Sequence, residues 1–310
     1  MDGPSLSTEV FDFDVPAVTT RIEGFIAEQM TSLDRAGIVV ALSGGLDSSA
    51  VLALCARAVG PERVTALLLP DKRGSREAEH FSRLVTDRLR VHVATLDTSR
   101  VNAATGVYDF IGYRLPLPKV IARVVRAYLA KGGQDGMFLA GMRGTDHDLT
   151  RKALAAIYAR QRLCMVLTYR YADLHRLLVV GSAHMSEDLL GLFVKFGIDD
   201  AADVMPLKGL YRTQVLRIAK EAGVPEEVLA RTPNPEMLPG IDDKYLDIFG
   251  VPAPTVDLVL WGIQHAFADA DIAHATDLDS LKVAELREAV RLSAHMRQPS
   301  RQPDLSTLLH

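Results

Sequence analysis

Residues 39–54 read VVALSGGLDSSAVLAL. The run Ile38-Val39-Val40-Ala41-Leu42 is continuous, rich in β-branched residues and bounded by glycines, which predicts a buried parallel strand. Ser43 to Ser48 is then a turn, and Ser49 to Val59, rich in alanine and leucine, a helix. A glycine pair between strand and helix lets backbone N–H groups approach an anion, and the helix N-terminus adds its dipole. Ser43, Ser48 and Ser49 add hydroxyl donors. Bare phosphate would repel Asp47, so a carboxylate here implies a bridging Mg²⁺. No Gly-Lys-Ser/Thr follows, which excludes the lysine-bearing loop of ordinary P-loop NTPases.

Working outward, Val15 to Leu33 carries apolar residues at helical spacing: Val18, Ile22, Phe25, Ile26 and Met30. Downstream come a strand over Val64 to Leu69, an amphipathic helix over Arg76 to Leu89, and a third strand over Val91 to Leu96. This βαβαβ alternation predicts a doubly wound, Rossmann-like α/β parallel sheet with helices on both faces. Ligands of such sheets gather at the carboxyl ends of the strands, where the Ser43 loop lies. Residues 1–14 are expected to be an irregular arm, and 15–310 a single domain with a variable insertion or lid at 105–150. Further helices are predicted over 120–129, 152–174, 186–194, 212–222, 256–269 and 280–297. A fourth strand is expected over 177–180, and a proline-rich loop over 231–255.

Composition narrows the class. A chain of 310 residues, 48% hydrophobic, can bury a proper core. A net charge of -4 argues against a dedicated nucleic-acid surface. No stretch reaches the ~18 apolar residues needed to span a bilayer, and residues 1–15 lack the pattern of a signal peptide. Cys55 and Cys164 lie in apolar, helix-like stretches, so no disulfide framework is indicated and a cytoplasmic setting is expected.

The SGGLDS loop resembles that of the N-type ATP pyrophosphatases, the PP-loop superfamily, whose members cleave ATP between the α and β phosphates. Three further segments narrow the likeness: LLVVGSAHMSEDLLGLFVKFG at 177–197, DVMPLKGLYRTQVLR at 203–217, and AHMR at 294–297, with ARQR at 159–162. Together they resemble the NAD synthetases over most of residues 15–300, least over 98–150. The resemblance implies the adenine nucleotide alpha hydrolase-like fold, with ATP as substrate and Mg²⁺ as the metal. It implies ATP contacts at Ser43, Gly44, Gly45, Leu46, Asp47, Ser48, Leu69, Ser182, Arg212 and Asn234. Asp47 and Glu187 are the implied metal ligands. Lys195, Arg212 and Asp203 are the implied catalytic residues. Arg160, Lys195, Asp203, His295 and Met296 fall on substrate-binding positions. A homodimer is also implied, with the helix containing Arg160 and Met165 at its interface.

The departures cluster where the family's acceptor substrate lies. The family's lysine after the C-terminal histidine is Met296, its DINP asparagine is Met205, and the asparagine four places before ARxR is Ala156. The glycine pair of its KYGDGG segment is lost within Lys195 to Asp203. Arg114, Lys119, Arg123, Arg126, Lys131, Arg143 and Arg151 bring new positive charge nearby.

The implied reaction adenylates a carboxylate with release of pyrophosphate, after which ammonia displaces AMP. Asp199 or Asp203 is a candidate for assisting ammonia. The chain has no recognisable glutaminase segment, so free ammonia or a separate amidase is the expected nitrogen source. Three readings stay open: an NAD synthetase acting on nicotinic acid adenine dinucleotide, a relative that amidates another carboxylic acid, and a non-catalytic nucleotide-binding protein.

Overall fold

The computed structural model describes residues 6–72, 74–109, 137–144, 148–234 and 241–304. In chain order these form α1 (Val15–Ser32), β1 (Gly37–Ala41), α2 (Leu46–Val59), β2 (Val64–Leu68), α3 (Arg76–Leu89), β3 (His92–Thr95) and α4 (Ser99–Ala104). There follow α5 (Met137–Arg143), α6 (Asp148–His175), β4 (Leu177–Val179), α7 (Met185–Leu190), α8 (Arg212–Glu221) and α9 (Glu226–Leu229). The chain continues through α10 (Lys244–Phe249), α11 (Ala253–Gln264), α12 (Asp269–Thr276) and α13 (Ser280–Ser293).

The four strands pair in the order β3-β2-β1-β4, all parallel. Side chains alternate across a strand, and the burial follows. Ile38, Val40, Val64, Ala66, Leu178 and Val180 enter one core, with residues of α1, α2 and α8. Val39, Leu67 and Val179 face the other way, onto Ala172 of α6. Both faces are covered, so these strands are apolar apart from Thr65 of β2, rather than alternating. β3 is the exception: it lies at the sheet edge and is largely exposed. A second core gathers α7 and α10–α13, with Tyr245, Phe249, Leu260, Val283 and Leu286 at its centre.

Several expectations need correction. The loop expected over 231–255 contains α10 and the start of α11. Asp243 caps α10, accepting from the backbone N–H of Tyr245 at 2.8 Å and of Leu246 at 3.1 Å. A helix of six residues shows too little periodicity to be read from sequence, and burial of Tyr245 and Phe249 stabilises it. The helix expected over 256–269 runs instead from Ala253 to Gln264, and α12 follows as a separate element. The last helix stops at Ser293 and continues as a 3₁₀ turn over Ala294–Arg297. Within the expected arm, Thr8–Phe11 form a 3₁₀ turn, and Phe11 is buried edge-on against Tyr211 at 5.2 Å. The helix expected over 120–129 and the cations at 114–131 lie outside the described residues.

Arg143, expected in the cationic wall, pairs with Glu288 of α13 at 3.3 Å, and Arg291 binds the same carboxylate at 2.6 Å. Bonding from Arg291 and then Arg143 pulls the Glu288 carboxyl down to about 2. A depressed carboxylate contributes stability above its unfolded value of 4.5, and that contribution disappears as pH falls toward 2. Wild type is therefore expected to exceed Glu288→Gln in urea midpoint at neutral pH and to converge with it near the acid end. A constant gap across that window would remove this assignment.

Candidate functional site

The sheet order puts β2 on one side of β1 and β4 on the other. The chain segments leaving β1 and β4 therefore diverge, and a crevice opens between them at the carboxyl ends of the strands. A cavity of about 520 Å³ occupies this place. Ser43, Gly45, Asp47 and Ser48 of the first loop line it, as do Leu69 after β2, Ser182 and Glu187 after β4, Arg160 of α6, and Asn234.

The Ser43 loop is held tightly. Ser43 Oγ and Ser48 Oγ lie 3.0 Å apart, and Gly45 N–H donates to Ser43 Oγ at 3.2 Å. Arg231 donates to the Gly44 carbonyl at 2.7 Å and stacks its guanidinium on Phe81. The helix begins at Leu46 rather than Ser49, so Asp47 stands in its first turn.

Asp47 accepts from Arg212 Nη1 through both oxygens, at 2.9 and 3.1 Å. Burial works against ionisation of Asp47, but Arg212, with His184 and Lys244, holds the carboxyl below its ordinary value. Glu187 is paired with Lys244 of α10. Asp199 lines the same cavity. Burial and then Glu187 push its carboxyl up to about 7, against the pull of Lys244.

Beneath these groups lies Asp257 of α11, fully buried. It accepts from Ser186 Oγ at 2.5 Å, Thr213 N–H at 2.8 Å and Thr213 Oγ1 at 2.6 Å. Ser186 Oγ in turn accepts from Arg212 N–H at 2.9 Å. One carboxylate thereby joins the N-termini of α7 and α8, next in sequence to Glu187 and Arg212. Burial raises the Asp257 pKa despite the bonds from Ser186 and Thr213.

Other expected site residues lie elsewhere. Lys195 Nζ donates to the carbonyls of Met296 at 3.1 Å, His295 at 3.3 Å, and Gln298. It ties down the segment after α13, and neither Lys195, His295 nor Met296 lines the cavity. Asp203 accepts from Val179 N–H at 2.8 Å and from Tyr169 Oη at 3.2 Å. It closes the end of β4 and does not line the cavity either. Gly44 and Leu46 shape the loop from behind, and Arg212 reaches the cavity rim only through Asp47.

The sequence reading passed over His184 and Lys244. His184 stands three residues before Glu187, a spacing that brings side chains together across a helix start, and that was its available signal. Lys244 carries none, because its six-residue helix is too short to show a period. Cys164 lines the cavity, but burial pushes its thiol up to about 11. It therefore has little thiolate character at neutral pH.

A divalent cation suits this donor set. Asp47, His184 and Glu187 can place one ligand atom each within 4.8 Å of one another. Both nitrogens of His184 are buried without a hydrogen-bond partner. Two carboxylates and an imidazole are ordinary ligands for such an ion.

A serine–glycine loop at the head of a doubly wound parallel sheet, facing acidic groups across the switch point, defines an α/β nucleotide-binding protein. The NAD synthase family profile matches residues 18–108 and 137–300, and the chain belongs to that family. An NH(3)-dependent NAD(+) synthetase of Thermotoga maritima is 34% identical over 88% of this chain and 94% of its own. That of Hyperthermus butylicus is 33% identical over 96% of this chain and 93% of its own. Among solved structures, NMN synthetase from Francisella tularensis superposes with a TM-score of 0.69 at 21% identity, covering 94% of this chain and all of the other. NH3-dependent NAD synthetase from Campylobacter jejuni gives 0.67 at 20%, again over 94% of this chain. At such identities the structural likeness speaks for the fold alone.

Proposed function

We propose that the chain is an ammonia-dependent NAD synthetase, which adenylates the carboxylate of nicotinic acid adenine dinucleotide and then exchanges AMP for ammonia. One observation carries this reading. A single cavity joins the Ser43 loop, the carboxylates Asp47 and Glu187, and the cation Arg160. The relatives at about a third identity, matched over nearly their whole length, support the reaction.

In the first step a carboxylate oxygen attacks the α-phosphorus, and the bond to the β-phosphate oxygen breaks. The Ser43 loop receives the departing pyrophosphate: Ser43 and Ser48 exchange their mutual contact for bonds to its oxygens, and the start of α2 adds its dipole. Asp47 and Glu187 would hold Mg²⁺, which when bound neutralises phosphate charge. Arg212 and Lys244 then need no longer compensate the two carboxylates alone. Arg160 offers a fork to an anionic part of the acceptor. In the second step ammonia attacks the acyl carbon, AMP leaves, and one proton is released. We assign Asp199, a cavity carboxyl with a near-neutral pKa, to receive it.

The deciding measurement is a steady-state assay with nicotinic acid adenine dinucleotide, ATP, Mg²⁺ and ammonium. A kcat/KM of ~10⁴ M⁻¹s⁻¹ or more, the low end for ordinary enzymes, is expected. Turnover confined to a different carboxylic acid would favour the altered acceptor instead, a reading that rests on Met205, Met296 and Ala156.

The protein is further proposed to be a cytoplasmic homodimer. Val166 and Leu174 of α6 are 54% and 69% exposed, eight residues apart and so on one helix face. The same helix carries Arg160, so a twofold contact along it would border the cavity. Light scattering is expected to give about twice the chain mass of 33.9 kDa. A value near the chain mass at assay concentration would count against the dimer. Cys55 and Cys164 are free thiols, in keeping with a reducing compartment. Among the described residues, no helix is long and apolar enough to cross a membrane.

A further inference from the structure

His184 is completely buried, and neither ring nitrogen has a hydrogen-bond partner. It immediately precedes α7 without capping it. A buried polar atom left unsatisfied is destabilising, so an unpartnered imidazole calls for a ligand. The ring faces two carboxylates. Nε2 lies 3.5 Å from Glu187 Oε2 and 3.8 Å from Asp47 Oδ1.

Those separations are too long for hydrogen bonds. They approach the spacing of donors that share one ion: ligands each about 2.1 Å from a cation stand roughly 3.0–3.5 Å apart at octahedral or tetrahedral angles. Among the described residues, this is the one group of three or more His, Cys, Asp or Glu side chains able to converge in this way.

A direct ion pair between His184 and the carboxylates explains the site less well. Arg212 already binds Asp47 and Lys244 already binds Glu187. His184 would then stand 3.5 and 3.8 Å from two carboxylates that already have closer cationic partners, with no hydrogen bond to either. A divalent ion that arrives with a triphosphate brings its own compensating charge.

We propose that His184 is a third ligand of the cation held by Asp47 and Glu187, giving that ion a nitrogen donor. The inference rests on the assignment of those two carboxylates as metal ligands. Its consequence is selectivity. An all-oxygen site suits Mg²⁺, whereas one imidazole among carboxylates shifts preference toward first-row transition ions. The site should therefore bind Mn²⁺ more tightly than Mg²⁺.

The test uses the full chain labelled with ¹⁵N-histidine, Mn²⁺ as the probe, and an ATP analogue blocked between the α and β phosphates. The isotope separates histidine from adenine nitrogen. Pulsed electron paramagnetic resonance is expected to show ¹⁵N coupling to Mn²⁺ in the labelled protein and none in His184→Asn. Mn²⁺ affinity should fall ~10-fold or more in that variant, with Mg²⁺ affinity falling less. Wild-type Mn²⁺ without histidine coupling would overturn the inference, even if His184→Asn failed to fold. Unchanged Mn²⁺ affinity in a folded His184→Asn would do the same. Asp47→Asn and Glu187→Gln provide the control for the underlying assignment. If they too leave Mn²⁺ binding unchanged, the carboxylate site itself is refuted; if they alone weaken it, only the role of His184 is.

Discussion

Asp47→Asn and Glu187→Gln are each expected to lower the rate of pyrophosphate formation by ~10²–10³-fold, the scale of losing one preorganised electrostatic contact at a reacting phosphate. Both carboxylates line the cavity, one in the first turn of α2 and the other in α7. Each is also half of a largely buried ion pair, with Arg212 or Lys244. Removing one partner of such a pair leaves a buried charge uncompensated and costs about 3–5 kcal/mol in the unfavourable limit. The amide replacements keep one acceptor oxygen, so the fold should persist at reduced stability. Activity and stability can be separated at the second pair. Adding Lys244→Met to Glu187→Gln removes the orphaned ammonium, and the urea midpoint should recover while pyrophosphate release does not. Recovery of both would mean that Glu187 acts only through the fold. Wild-type turnover in either single variant would remove its assignment altogether.

Gly44→Ala is expected to be the most damaging single-methyl substitution in the loop. Gly44 has φ +77°, in the left-handed region that favours glycine. A Cβ there would stand 2.6 Å from the carbonyl oxygen of Ala78 and 3.0 Å from Ser82 N, both backbone atoms of α3. The strained φ and the overlap together should cost about 3 kcal/mol. To relieve the overlap the loop must move away from α3, which breaks the contact between Arg231 and the Gly44 carbonyl. Ser43 and Ser48 then no longer share one geometry, and pyrophosphate formation should fall with stability. Gly45→Ala is the comparison. Its Cβ would meet only Ser43 Oγ, at 3.3 Å, and its backbone is extended. Thermal unfolding should therefore place Gly45→Ala close to wild type and Gly44→Ala several degrees below it. The reverse order would show that contact with α3 does not set the loop.

What could be read from the sequence was whatever neighbours in the chain decide among themselves. The run Ile38 to Leu42, the glycine pair and the alanine-rich helix specify strand, turn and anion-ready helix start by local backbone preference and periodicity. Recurrence of that unit specifies the parallel sheet and places the loop at its carboxyl edge. Asp47 could be singled out from its place in the loop, and Glu187 only through the resemblance to the NAD synthetases. Short, tertiary-stabilised elements were not legible, α10 and α12 among them, because one or two turns carry too little pattern.

The tertiary structure alone decided which charges meet. Arg212 reaches Asp47 across 165 residues, and Lys244 reaches Glu187 across 57. Asp257 joins the starts of α7 and α8 from a third helix. Lys195 meets the backbone carbonyls of the segment after α13, and Asp203 meets Val179 N–H and Tyr169 Oη. A side chain's partners depend on how helices pack over the sheet, and that packing is set by the summed burial of many apolar residues, not by the few residues around the charge.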